Sequence, residues 1–170
     1  MATIGELLNM KFNKASKTQT LSGNNETVAT PLFRITGAVK ITELYSVVTT
    51  IIGSNATAAH YRVNDQTTTT AITLATGSTI QNYTPGSIFA RTGTVSTALQ
   101  VKISSQGNVL DPFAATVPDF FMPFVVIQKT GSVQTDIEFV YTTTNTPTSG
   151  VIQHFVEWQP LSEGSTLTVL

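Results

Sequence analysis

Cysteine is absent from this chain of 170 residues, and its absence removes several kinds of site at once. A chain without thiols forms no disulfide, holds no iron–sulfur cluster and offers no thiolate ligand to zinc. Because 41% of the residues are hydrophobic, a fold of this length is expected to bury a core that needs no such cross-link. The absence of cysteine does not indicate a redox compartment, since a chain without cysteine is compatible with any compartment.

Charged residues are also scarce: nine Lys or Arg and ten Asp or Glu give a net charge of −1. This balance provides no field that would attract a nucleic acid or an anionic membrane surface. The segment Met1–Met10 has no basic start, and no apolar run approaches the roughly 18 residues of a membrane span. We therefore expect no nucleic acid partner, no membrane contact, and synthesis in the cytoplasm without a signal peptide.

Groups that exchange protons near neutral pH are few, and no familiar catalytic motif accompanies them. The two histidines, His60 and His154, lack the spacing of a metal site, and neither GxSxG nor a glycine-rich phosphate loop is present. We predict that His60 is a surface residue and that His154 is partly buried with a satisfied ring nitrogen. The chain is accordingly predicted to have no catalytic residue, no metal site and no cofactor.

Two acids, Asp136 and Glu138, fall on one face of a predicted strand, about 7 Å apart at ~3.4 Å per residue. That separation suits a glycosidase that uses two carboxylates. Alternating acids on a strand more often mark a face that is exposed to solvent, and we favour this second interpretation.

Threonine is abundant, with 31 copies in the chain. Its branched Cβ favours strands, and its hydroxyl wets an outward face without adding charge. Desolvating a hydroxyl costs less than desolvating an ammonium or a carboxylate. The composition therefore predicts sheet with a neutral polar surface, which suits a protein that lies against other protein.

Residues 1–30 are expected to form an N-terminal arm, and residues 31–170 the folded domain. Thr3 and Glu6 match a capping box, which favours a short helix from about Ile4 to Met10. Such a helix does not persist alone, so the arm is either a frayed terminus or is ordered on a neighbouring subunit. Its candidate partner contacts are Leu7, Leu8, Met10, Lys11, Phe12, Lys14 and Lys17. The lysines recur every three residues and favour a solvated face or contact with an acidic protein surface over contact with phosphate.

Hydrophobic residues alternate with polar ones from Pro31 onward, as in half-buried strands. The pattern predicts one strand through Gly37, where it indicates a bulge or a close backbone approach, and a bulge near Glu43. Further strands are predicted at Tyr45–Ile52, which is covered on both faces, after Pro123, and at Val151–Trp158. Leu161–Leu170 is predicted to be a tail. About eight short strands without an internal helix indicate an all-β domain, a single β-sandwich with jelly-roll or Greek-key topology.

Aromatic residues raise two further alternatives. Exposed rings would form a platform for stacking a sugar, and the candidates are Tyr45, Tyr61, Tyr83, Tyr141 and Trp158. For Trp158 we favour the core, because it lies in an apolar strand. A second group of bulky residues is either core or subunit interface, and it comprises Phe113, Phe120, Phe121 and Met122.

Two stretches of the chain are similar to segments of known virion proteins. Residues 32–44 (LFRITGAVKITEL), continuing through Val47–Thr50, resemble a segment that recurs in small virion proteins of tailed phages. Residues 150–164 (GVIQHFVEWQPLSEG) are similar to the closing strand of those proteins. The resemblance implies a capsid decoration (cement) protein or another small head protein. Such proteins are typically β-sandwiches that often form trimers on the shell, and they have no catalytic residues.

The expected function is therefore that of a structural virion protein that binds the outside of a phage capsid. Its expected partners are the major capsid protein and further copies of itself, with a trimer favoured. The alternative is a carbohydrate- or receptor-binding module of a virion fibre or head appendage. An enzyme is the least supported class, because the residues indicate no site.

Overall fold

Strands form all the regular secondary structure in the part of the chain that is described. A computed structural model describes residues 12–77, 79–91, 96, 98–102, 123–131, 134–146 and 149–170. The helix predicted at Ile4–Met10 lies outside these ranges. Within them, a search for helices with the length and hydropathy of a membrane span finds none.

Eleven strands are seen in the described ranges, and each pairs with its neighbours in antiparallel fashion. They are β1 (Asn13–Thr20), β2 (Thr27–Thr36), β3 (Ala38–Thr50), β4 (Ala56–Asn64), β5 (Thr69–Ala71), β6 (Ile88–Ala90), β7 (Gln100–Lys102), β8 (Phe124–Ile127), β9 (Asp136–Thr143), β10 (Val151–Pro160) and β11 (Thr166–Val169). Sheet A has the order β1-β10-β3-β6-β7, with β8 also paired to β3. Sheet B has the order β11-β2-β9-β4-β5.

The strand order identifies the topology of the sandwich. Strands β1, β10, β3 and β6 lie side by side in one sheet, and β2, β9, β4 and β5 in the other. The chain therefore passes repeatedly from one sheet to the other, as in the paired Greek keys of a jelly roll. The predicted all-β sandwich is confirmed, and of the two topologies left open the strand order selects the jelly roll.

Fully buried apolar side chains from both sheets form the core. At its centre Phe139 of β9 packs against Tyr61 of β4 and Phe89 of β6, with ring centroids 5.2 and 6.0 Å apart. The buried side chains that surround them include Phe33, Ile35, Val39, Ile41, Ile137 and Ile152. Each such side chain stabilises the fold by about 1.5–3 kcal/mol on burial, so no cross-link is required.

Gly37 is the corner at which the chain leaves sheet B and enters sheet A. The pattern predicted one strand through this residue, whereas the structure has two strands that belong to different sheets. The alternation survives the corner, because Ile35 before it and Val39 after it both face the core. Gly37 has φ of 71°, and a Cβ there would lie 2.5 Å from Ser165 Oγ. The predicted close backbone approach is therefore confirmed.

Two further predictions concern β3 beyond Gly37, and the structure confirms one of them. Glu157 pairs with Glu43 and Trp158 pairs with Ile41, which leaves Thr42 as the extra residue of a bulge. This confirms the bulge predicted near Glu43. Beyond it the strand alternates: Ser46 is buried, whereas Tyr45 is only half-buried. The prediction of a strand covered on both faces is therefore wrong for this segment.

Both predicted ends of the domain need correction. Residues 13–30, assigned to an arm, contain β1 and the start of β2, and β1 pairs with β10 along its whole length. The tail predicted at Leu161–Leu170 contains β11, which pairs with β2. Neither strand shows a clear apolar alternation, because β1 turns Lys17 and Gln19 inward and β11 buries only Leu167. By contrast, β8 begins directly after Pro123, as predicted.

We expect Gly37→Ala to lower the free energy of unfolding by about 2–4 kcal/mol, from the positive φ and the clash with Ser165 together. Gly164→Ala tests the cost of the positive φ without a clash, because φ is 75° there and no atom lies within 4 Å of the added Cβ. It should cost about 1–2 kcal/mol. Gly77→Ala meets nothing within 4 Å and serves as the control, with no loss expected. Urea denaturation measures all three, and equal losses for Gly37 and Gly164 would contradict the close approach.

Candidate functional site

Five polar side chains meet in the interior between the sheets, and together they form what we call the polar relay: Thr30, Gln19, His154, Ser46 and Tyr61. Thr30 and Tyr61 belong to sheet B, and the other three belong to sheet A. Gln19 Nε2 donates to Thr30 Oγ1 at 2.7 Å, and His154 Nε2 lies 2.9 Å from Gln19 Oε1. His154 Nδ1 lies 2.6 Å from Ser46 Oγ, which also contacts the Tyr61 hydroxyl. The relay thus crosses from sheet B through sheet A and back.

The partners of Gln19 decide which nitrogen of His154 carries the proton. Because the amide nitrogen of Gln19 faces Thr30, its oxygen faces His154 and accepts. His154 Nε2 is therefore the N–H donor, and Nδ1 is the acceptor. The hydroxyls of Ser46 and Tyr61, at 2.6 and 3.2 Å from Nδ1, supply the donor that Nδ1 requires.

Burial keeps the relay uncharged. Desolvation, with a smaller contribution from the Lys17 ammonium, lowers the pKa of His154 from 6.5 to about 3. Desolvation also raises the pKa of the Tyr61 hydroxyl above its usual range, although the hydrogen bond with Ser46 opposes this shift. Both side chains are therefore neutral near pH 7. The predicted satisfaction of a His154 nitrogen is confirmed at both nitrogens, whereas the ring is completely buried and not partly buried as predicted.

Ser46 and His154 contact each other as a nucleophile and a base would, but both side chains are completely buried. Tyr61 covers them from sheet B, and the Phe139 ring lies 4.8 Å from the imidazole. A substrate would have to separate the sheets to reach either atom. The arrangement is suited to holding two sheets in register, because each buried polar atom finds its partner on another strand.

We predict that stability depends on pH through His154. The unfolded chain binds a proton near pH 6.5, whereas the folded chain binds it only near pH 3. Stability is therefore fully present above pH 6.5 and is lost as the pH falls towards 3, by about 1.4 kcal/mol per pH unit. Urea denaturation between pH 6.5 and about 4.5 measures the slope, because carboxylates contribute mainly below that window.

His154→Gln should unfold at lower urea concentration and lose the slope in this window. His60→Gln is the matched control, because His60 lies on the half-buried outer side of β4 and touches only the Ala58 carbonyl among its described contacts. A slope that persists in His154→Gln would contradict the assignment.

The two acids of β9 are buried. Asp136 is 5% exposed and Glu138 4% exposed, although both lie on the outer side of sheet B. Arg34 holds Asp136 with two hydrogen bonds of 2.9 Å, and Arg62 holds Glu138 at 2.7 Å. The prediction of a solvent face is wrong, because β9 is a central strand and long side chains from β2 and β4 cover it. Each carboxylate is held in an ion pair with an arginine.

Removing one partner of a buried pair should leave an uncompensated charge. We expect Arg62→Met to lower the free energy of unfolding by about 2–3 kcal/mol, because among the described residues Asn64 is then the one side chain that still donates to Glu138. Lys14→Met is the control, since Lys14 pairs with Glu157 in an exposed position. It should leave the urea midpoint unchanged. Equal shifts for the two variants would contradict the difference in burial.

The predicted partner contacts fall into two groups. The structure describes Phe12, Lys14 and Lys17, whereas the others lie outside the described residues: Leu7, Leu8, Met10, Lys11, Phe113, Phe120, Phe121 and Met122. Phe12 is exposed. Lys14 points outward from sheet A to Glu157, 3.0 Å away, whereas Lys17 turns inward and donates to the Pro31 carbonyl at 2.8 Å. Lys14 and Lys17 thus lie on opposite sides of β1, and an inward lysine also protects an edge strand from pairing.

The aromatic residues proposed for a sugar platform are mostly internal. The buried ones are Tyr61, Tyr83, Tyr141 and Trp158. The core position predicted for Trp158 is confirmed. Tyr45 alone lies on an outer face, where its ring stacks on Phe155 with centroids 5.0 Å apart and planes 16° apart. Sequence reasoning missed this pair, because only the register of β3 with β10 brings the two rings together.

Two successive rows across β1, β10, β3 and β6 carry no charged residue on the outer side of sheet A, and we call them the neutral face. One row is Ser16, Phe155, Tyr45 and Ala90, and the next is Thr18, Gln153, Val47 and Ile88. The stacked rings of Tyr45 and Phe155 lie near its centre. Beyond the first row the charged residues Lys14, Glu157 and Glu43 form the boundary, and at the end of the second row Ile88 pairs with Lys102 of β7.

Comparison of the chain with protein-family models, curated proteins and solved structures finds no match. Among the described residues, no group of three or more His, Asp or Glu is placed to hold a metal ion. The function is therefore argued from the fold and from the neutral face.

Proposed function

We propose that this chain is a structural protein of a tailed-phage virion, a capsid decoration protein that binds the outside of the shell. In this proposal it bridges subunits of the major capsid protein, assembles with further copies of itself, and has no catalytic role or cofactor. The resemblance of residues 32–44 and 150–164 to small virion proteins supports it. The jelly roll supports it as well, because this fold is frequent in viral capsid domains.

The observation that carries the proposal is the neutral face. Its hydroxyls, amide and apolar groups lose water at lower cost than charged groups would. Interface cores are depleted in charge and enriched in aromatic residues, which matches the position of Tyr45 and Phe155. We assign this face to the contact with the capsid protein.

The mechanism follows from many modest contacts. A decoration protein that reaches two capsid subunits at once gains effective concentration at the second, so weak contacts add up to firm attachment. A rigid sandwich serves this role, because the polar relay fixes the two sheets relative to each other. Binding in this way requires no group that changes its protonation state.

The alternative function, a carbohydrate- or receptor-binding module on the same fold, has less support. Jelly rolls are also frequent in lectins. However, four of the five rings considered for a sugar platform are buried, and the Tyr45 and Phe155 rings each use one face to stack on the other. Glycan binding by the purified protein would favour this alternative.

We expect the protein to co-sediment with shells of the major capsid protein, and Gln153→Glu to weaken this binding about tenfold or more. The substitution keeps the shape of the side chain and places an unpaired carboxylate in the neutral face. Asn24→Asp, an equivalent change in the loop between β1 and β2, is the control and should bind normally. A truncation that tests the arm should remove residues 1–12 only, because a longer one would delete β1.

A protein that never sediments with shells would contradict the proposal. So would equal binding by the native protein and Gln153→Glu, because the neutral face would then not be the contact surface.

A further inference from the structure

An exposed apolar patch lies at the end of sheet A nearest Gly37. Leu161, which directly follows β10, forms a row with Ala38 of β3 and Ile127 of β8, because Leu161 N donates to the Ala38 carbonyl and Ala38 pairs with Ile127. Val125 lies in the next row, opposite Lys40. We call these four apolar residues the corner patch: Leu161, Ala38, Ile127 and Val125. It is separated from the neutral face by the row of Lys14, Glu157 and Glu43.

The exposure of this patch is unusual for its residue types. Ile127 is 67% exposed, and Val125 and Leu161 are each 51% exposed. Their neighbours on the opposite side of the sheet, Val39 and Val126, are buried in the core. Adjacent exposed side chains of this kind mark an interaction surface more often than isolated ones do.

A recess adjoins the patch and gives it a shape that another surface can fill. The recess has a volume of about 470 Å³, and Gly37, Gln128, Thr130 and Ser162 contribute to its lining. Ile127 and Lys129 also contribute to its lining. The patch therefore presents a projecting apolar group beside a hollow, which is the arrangement that two copies of one surface need to interlock.

Two opposite charges at the corner patch indicate what covers it. Lys40 lies in the same row as Val125, and Glu163 is exposed in the turn that follows Leu161. In the described part of the chain neither side chain takes part in an ion pair, although Lys14, Arg34, Arg62 and Lys129 all do. An apolar patch that carries a cation in the row of Val125 and an anion in the turn after Leu161 is complementary to a second copy of itself.

We propose that the corner patch binds a second copy of this chain. Ile127 and Leu161 of one copy pack against the patch and recess of the other, and Lys40 pairs with the partner's Glu163. Because both copies use the same patch, the contact is isologous and closes as a dimer with two-fold symmetry. The inference names the self-association surface of the proposed decoration protein, and it does not depend on contact with the shell.

Sedimentation velocity of the purified full chain over a wide range of concentrations tests the proposal. We expect a dimer, and we expect Ile127→Asp to yield monomers, because it buries a charge at the centre of the contact. Val169→Asp is the matched control: Val169 is 48% exposed on β11 of sheet B, and this variant should assemble normally. Circular dichroism verifies that each variant is folded.

Charge reversal provides a second test that leaves the apolar residues unchanged. Lys40→Glu and Glu163→Lys should each weaken assembly about tenfold, and the double variant should restore it, because the reversed charges again face each other. A chain that stays monomeric at every concentration would overturn the proposal. So would assembly that is unchanged by Ile127→Asp and by both charge reversals. A monomer that still sediments with shells would overturn only this inference, whereas an oligomer that never does would overturn only the shell contact.

Discussion

The rest of the structure depends on the hydrogen-bonded relay that crosses the interior from Thr30 to Tyr61. It takes one polar side chain from each of five strands, and breaking any link would leave a buried donor or acceptor without a partner. The apolar core attracts the two sheets to each other but tolerates small shifts, whereas the relay requires one alignment. A jelly roll without disulfides thereby obtains a specific register between its sheets.

The composition of the outer surface follows from the small number of charged residues in the chain. With 19 charged residues in the chain, several of those described are held in pairs, such as Arg34 with Asp136 and Arg62 with Glu138. The neutral face of sheet A is left to hydroxyls, an amide, alkyl groups and the Tyr45–Phe155 stack. The threonine content thus has two consequences: it favours strands, and it leaves faces that other protein surfaces can cover at low cost in desolvation.

The sequence was sufficient where burial follows an apolar alternation. It predicted the inward faces on either side of Gly37, the bulge at Thr42 and the inward position of His154, because each depends on neighbours along one strand. It was insufficient where polar residues face inward, as Lys17 and Gln19 do on β1. Such a stretch lacks the apolar alternation of a strand, and the sequence therefore predicted an arm. The burial of Asp136 and the contact of Tyr45 with Phe155 depend on which strands become neighbours, and the order of strands in a sheet is not encoded in a local period. The predicted contacts Phe113, Phe120, Phe121 and Met122 remain predictions.

The central claim is that the polar chemistry of this chain serves its architecture, and the state of the His154 ring tests that claim most directly. Nitrogen-15 NMR of the imidazole reports both the tautomer and the protonation state as the pH is lowered from about 8 to about 4.5. The account predicts a neutral ring with its proton on Nε2 throughout, and no titration near 6.5. A ring that titrates near 6.5, or a proton on Nδ1, would contradict it, because His154 would then be accessible to solvent or bonded in another order.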